Sequence, residues 1–180
     1  AQNSGTLGRL LLGFLINTPY PIKLVGDSSL SKRDFKRITD PLSKFGAKFK
    51  LKNNMNLPLT IQGLSNPKAI KYIEKKGSAQ VKSSIIFAGM RSNGTTIIKA
   101  KNSRTHTEVM CKNLSLPVRV RRKKNYDEIS VEKVRKIKKL NYNIPSDISS
   151  ASFFIVLTAL SQNSQLIIKN VNINLSRIGI

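Results

Sequence analysis

Acidic residues are scarce in this chain: nine Asp and Glu stand against 32 Lys and Arg, a formal net charge of +23 over 180 residues. Such an excess points to anionic partners, whether nucleic acid, acidic membrane, or small phosphorylated and carboxylated molecules. Tryptophan is absent and aromatics make up only 6%, so the stacking platforms and docking motifs usual in nucleic-acid binders are missing. Lys outnumbers Arg and is spread among many Asn and Ile, a pattern that biased codon usage produces without any partner. One cysteine, Cys111, excludes an internal disulfide, and a single histidine, His106, with no Cys pair argues against zinc. Long apolar runs are also missing: the longest, residues 10–16 and 153–160, have the size of core helices. Residues 8–16 imitate a secretion signal, but one preceding cation and no small-residue cleavage site speak against it. The expectation is a soluble, cytoplasmic protein.

What is present is a pattern repeated three times: a polar cluster opens an apolar helix, which passes through a turn into a strand. The clusters are Asn3-Ser4-Gly5-Thr6, Gly77-Ser78-Ala79-Gln80 and Asp147-Ile148-Ser149-Ser150. Helices are predicted over 7–16, 81–90 and 151–160, and strands over 22–25, 96–99 and 166–169. Copies recur at about 70 residues, too long for a solenoid repeat, so each is a substantial module of a tandem α/β array. A helix N-terminus carries unpaired N–H groups and the positive end of the dipole, so Ser, Thr, Gly and Gln placed there make a ready anion site.

Between these starts, residues 26–30 read as a turn and 32–45 as a helix closed by Gly46, with Phe35, Ile38, Leu42 and Phe45 at helical spacing. Strands follow at 47–51 and 59–61 through Asn53-Asn54, with Pro58 placed at an edge or strand start. A short strand at 68–73 leads into the second cluster. After it come a helix at 105–114 and strands at 117–121 and 128–131. The basic run Arg119 to Lys124 reads as an alternating strand, with Val118 and Val120 facing the core and a turn near Asn125, in preference to a nucleic-acid patch. A further lysine-rich strand is predicted over 136–144. Both ends of the chain fall inside patterns, so a piece of a longer protein is expected.

Taken alone, each polar start is ordinary capping by Asn3, Ser4 or Ser78. Five segments in order are more specific: Asn3 to Arg9, Gly26 to Arg33, Ser78 to Ser83, Ser103 to Glu108, and Ile144 to Ala151. Together they resemble the 5-enolpyruvylshikimate-3-phosphate synthase family, and Asn174 to Ile180 is similar to the family's Asn-Pro-Thr-Arg-Thr-Gly segment.

The resemblance implies an inside-out α/β barrel of repeated βαβαββ units, helices buried and sheets outside. Residues 1–145 would be the latter two units of the first domain and 146–180 the opening of the second, with the crossing near Pro145. It implies transfer of the enolpyruvyl group of phosphoenolpyruvate to the 5-hydroxyl of shikimate 3-phosphate, by a monomer that needs no metal or organic cofactor and no nucleic-acid or membrane partner. Ser78, Ala79, Gln80 and Arg104 would contact shikimate 3-phosphate; Gly5, Arg33 and Gln80 would contact phosphoenolpyruvate. Arg9 and Asp147 are a candidate interdomain pair, the alternative being solvated or capping residues. No catalytic acid or base is expected within these residues, because the family's lie in parts of the sequence outside them, and the segment alone is expected to be inactive.

Three departures stand out: Asp34 where the family has Pro, Thr105 where it has Asp, and Ser146 where it has Gly. Asp34 places a carboxylate that could compete for Arg33. His106, at a helix start, reads as structural, and Cys111 as a core residue. The rivals are UDP-N-acetylglucosamine enolpyruvyl transferase, whose family carries a reactive loop cysteine and lacks the Ser-Ala-Gln-Val-Lys segment, and a basic nucleic-acid-binding α/β module.

Overall fold

Short polar side chains start the helices as the sequence predicts. In the computed structural model, which describes residues 1–137, 139–172 and 174, the Ser4 hydroxyl accepts the Leu7 N–H at 3.1 Å and opens α1 (Gly5–Leu15). β1 (Pro21–Leu24) follows. Residues 26–30 do not remain a simple turn. The Asp27 carboxylate accepts the Leu30 N–H at 2.7 Å, which closes a helical turn, α2 (Ser28–Ser31). The helix predicted from residue 32 starts later, as α3 (Lys36–Ser43), because Asp34 accepts the Lys36 N–H at 2.7 Å and the Phe35 N–H is spent on Met55 O. Gly46, at φ +101°, ends it.

β2 (Lys48–Lys52) and β3 (Asn56–Gln62) form a hairpin through Asn53 and Asn54, both at positive φ. Asn tolerates that region better than most residues. The first sheet has the order β1-β3-β2, all antiparallel. Pro58 is therefore in the central strand, not at an edge. It is tolerated because the β2–β3 register shifts between Leu51 and Lys52 and the β1 ladder stops at Leu59, so no neighbour asks for the missing N–H.

β4 (Lys71–Glu74), α4 (Ala79–Arg91), β5 (Thr96–Lys101), α5 (His106–Asn113), β6 (Val118–Arg122) and β7 (Tyr126–Val131) complete a βαβαββ unit. Its sheet order is β4-β5-β7-β6, parallel between β4 and β5 and antiparallel elsewhere. Strands alternate inward Leu57, Leu59 and Ile61, or Ile129 and Val131, with outward polar residues, so each sheet turns one face to the core. Every residue from Val81 to Met90 of α4 is buried. Helices inside and sheets outside is the expected arrangement.

α1 and α4 run parallel and in register. Thr6 meets Gln80, Gly13 meets Ser84, Phe14 stacks on Phe87 at 4.3 Å, and Asn17 bonds Arg91. A Cβ on Gly13 would lie 2.3 Å from the Ser84 carbonyl oxygen, so glycine is what lets these helices approach.

The chain divides into two compact units, Ala1–Ile137 and Lys138–Ile180. In the second, Asp147 accepts the Ser149 N–H at 3.2 Å and opens α6 (Ile148–Leu160), an apolar helix with Phe153 78% and Leu160 81% exposed. The strands predicted over 136–144 and 166–169 are not formed among the described residues; the only bridge among those of the second unit joins Ser146 to Val171. A strand needs a partner, and apolar alternation does not supply one. Lys138, Ile173 and residues 175–180, hence most of the last family-like segment, lie outside the described residues.

Candidate functional site

Because α1 and α4 are parallel, their N-termini open at the same end of the first unit, joined by a 3.0 Å hydrogen bond from Gln80 Nε2 to Thr6 Oγ1. The first turn of each helix directs N–H groups out of that end. Guanidiniums gather around it. Arg9, one turn into α1 and only 5% exposed, donates from Nη1 to Gln80 Oε1 at 3.0 Å and from Nη2 to Asp34 O at 3.3 Å, and lies over the Phe35 ring at 5.1 Å. Arg37, in the first turn of α3, donates from Nη2 to the same Gln80 oxygen at 3.1 Å. A Cβ placed on Gly5 would meet Arg9 Nη1 at 3.0 Å and Arg33 Nη1 at 3.3 Å, so both head groups flank the start of α1.

No ion pair among the described residues engages Arg9, Arg33 or Arg37. Asp34, the carboxylate that acts on Arg9, accepts from the Lys36 N–H and makes no ion pair with Arg33 among the described residues. Burial, then Arg37, then Arg33 push the Arg9 pKa down, against an upward pull from Asp34. Three like charges and two helix N-termini around one carboxamide are mutually repulsive until an anion joins them, and guanidinium forks match carboxylate and phosphate geometry.

Ser78 caps α4: its hydroxyl accepts the Val81 N–H at 3.4 Å and keeps its own proton to donate, with Ala79 next as the first helical residue. The turn before it is held by Glu74, which accepts the N–H groups of Lys76 and Gly77. A Cβ on Gly77 would lie 3.3 Å from Asn102 O, so the loop carrying the exposed Arg104 runs directly beside this helix start. α5 is fastened to α4 by a Ser83–Thr107 hydroxyl bond of 2.6 Å and by a Lys82–Glu108 ion pair.

The structure thus gathers Gly5, Arg33, Gln80 and Arg9 at one end, with Ser78, Ala79 and the Arg104 loop alongside. Arg9 is neither solvated nor a cap, but the buried centre of the cluster. Asp147 belongs to the second unit, where it caps α6. Sequence reasoning passed over Arg37, whose partner Gln80 is 43 positions away, and the Lys82–Glu108 pair. The second had a signal: Lys82 is the only charge between Ser78 and Met90, and Glu108 the only acid on α5. Cys111 is fully buried, and burial with Glu108 nearby pushes its thiol up to about 11, which makes it a poor nucleophile. An open depression of about 490 Å³ between α2 and the β2–β3 turn, lined by Ser28, Lys32 and Asn53 among others, includes none of the cluster residues.

The family model for EPSP synthase (3-phosphoshikimate 1-carboxyvinyltransferase) matches residues 1–180. The chain is 42% identical over 179 residues to a 3-phosphoshikimate 1-carboxyvinyltransferase of Leuconostoc mesenteroides, covering 99% of this chain and 40% of that protein. It is 43% identical over 180 residues to the protein of the same name from Caldicellulosiruptor saccharolyticus, covering 99% and 41%. A solved EPSP synthase from Acinetobacter baumannii superposes with a TM-score of 0.81 at 37% identity, over 99% of this chain and 40% of that one. The chain spans about two fifths of the length of these relatives. Its fold is the α/β fold of the enolpyruvyl transferases, and the chain belongs to the EPSP synthase (3-phosphoshikimate 1-carboxyvinyltransferase) family.

Proposed function

We propose that the protein carrying this chain transfers the enolpyruvyl group of phosphoenolpyruvate to the 5-hydroxyl of shikimate 3-phosphate and releases inorganic phosphate. The observation that carries this reading is the convergence of Gly5, Arg33 and Gln80 on one end of the parallel α1–α4 pair, with Ser78 beside them. In the reaction, the 5-hydroxyl gives up its proton as its oxygen adds to C2 of phosphoenolpyruvate, and C3 gains a proton, giving a tetrahedral ketal. Loss of a C3 proton and of the phosphate from C2 then restores the double bond. Both substrates are polyanions, and their charge must be held while neither addition nor elimination changes it much. Fixed guanidiniums and helix N–H groups suit that task because they need no reorganisation.

Within this scheme Arg33 takes phosphoenolpyruvate against the Gly5 backbone, Gln80 lies between the two substrates, and Ser78, Ala79 and Arg104 take the phosphate of shikimate 3-phosphate. Proton transfer falls to residues outside this chain. Residues 1–145 are the latter two units of the first domain and residues 146–180 open the second. The protein acts as a cytoplasmic monomer, and its basic charge serves small anions in place of nucleic acid.

The test is a phosphate-release assay on the complete protein. Release that needs both substrates supports the reading; release from neither pairing, together with nucleic-acid binding that falls steeply with salt, would replace it with the polyanion-binding alternative.

A further inference from the structure

Gln80 is held from three sides, and those contacts fix which way its carboxamide faces. Its oxygen accepts from Arg9 Nη1 at 3.0 Å and from Arg37 Nη2 at 3.1 Å, and its nitrogen donates to Thr6 Oγ1 at 3.0 Å. Guanidiniums have only donors, so the oxygen must lie on their side; turning the amide over would set its NH2 against two cations. Of the two N–H bonds on Nε2, Thr6 uses one. The other remains for a ligand at the shared helix end.

We infer that Arg37 is a positioning residue: with Arg9 it clamps the Gln80 oxygen, so that Gln80 presents an N–H and never its oxygen to the bound anion. This rests on the function proposed above. Arg9 alone does not suffice for the task, since it divides its donors between Gln80 and Asp34 O. Arg37 comes from a different helix, α3, and is exposed, so it crosses from the sequence neighbourhood of Arg33 to the start of α4. Without it, Gln80 keeps a single cationic donor and can rotate to face an incoming phosphate or carboxylate with its oxygen, which repels it. The consequence belongs to anion binding and not to the bond-making steps.

Exposure also makes Arg37 a safer site for substitution than the buried Arg9. The experiment is a double-mutant cycle of Arg37→Met and Gln80→Ala in the complete protein, read by steady-state kinetics and by thermal midpoints. Arg37→Met should raise the KM for phosphoenolpyruvate about tenfold and leave kcat within about twofold, the pattern of lost ground-state binding. In the Gln80→Ala background the same change should move KM by less than about twofold, because the group it positions is gone. Arg37→Lys, which keeps a cationic donor, should recover part of the loss. Equal effects of Arg37→Met in both backgrounds would overturn the inference, since Arg37 would then act independently of Gln80. Should the protein fail to turn over the two substrates, the functional reading falls, and the midpoints still decide the clamp. A midpoint drop from Arg37→Met that disappears in the Gln80→Ala background upholds it, and equal drops overturn it.

Discussion

Lys82 and Glu108 meet in an ion pair of 2.6 Å whose side chains are 0% and 3% exposed, and neither charged group makes a further hydrogen bond to any described residue. The pair joins the start of the most buried helix, α4, to α5, one residue along from the Ser83–Thr107 bond. It therefore sets the spacing between the Ser78 cap and the loop carrying Arg104.

Removing one partner strands the other charge in the interior. Lys82→Met or Glu108→Gln should each destabilise the protein by about 3–5 kcal/mol in denaturant unfolding. The joint variant Lys82→Met/Glu108→Leu should be more stable than either single variant, because apolar replacements leave no charge to desolvate. Single variants as stable as the parent would show that the pair is not buried.

Two glycines of α1 should respond oppositely to alanine. Gly13→Ala drives a methyl against the backbone oxygen of Ser84 at 2.3 Å and should cost about 1–3 kcal/mol or more, as the helices move apart. Gly8→Ala meets the Phe35 ring at 3.5 Å and the Ala1 Cβ at 3.6 Å, both ordinary contacts, and should gain up to about 1 kcal/mol from helix propensity. Thermal midpoints of the two variants check the pair of signs.

Cys111 should be inert to a thiol reagent in the folded protein and react only as fast as the chain opens. Burial first, and Glu108 second, raise its pKa to about 11 from a usual 9.0. The folded state therefore holds this proton where the unfolded chain has lost it. The resulting stability is complete below pH 9.0 and drains away as pH climbs towards about 11. Cys111→Ala should flatten that part of the pH–stability curve.

Much of this architecture is written locally. Ser4, Ser78 and Asp147 mark three helix starts because a cap acts on N–H groups two or three positions away. Gly46 and Asn53-Asn54 announce their turns for the same reason of local backbone geometry. Tertiary features were less legible. The lysine-rich alternation over 136–144 looks like a strand but pairs with nothing among the described residues, and Pro58 sits mid-sheet only because two ladders stop beside it. In the site, Gly5, Arg33 and Gln80 could be picked out by their segments. Arg37 could not, because its role comes from a helix packing that brings residues 43 apart together.

The central claim is that the cationic end of the α1–α4 pair holds phosphoenolpyruvate, and Arg33 tests it most directly. In the complete protein, kcat/KM for phosphoenolpyruvate should fall in Arg33→Ala by about 2–5 kcal/mol in transition-state terms, roughly thirtyfold or more, with the fold intact by circular dichroism. Kinetics unchanged from the parent would remove Arg33 from the site and contradict the account.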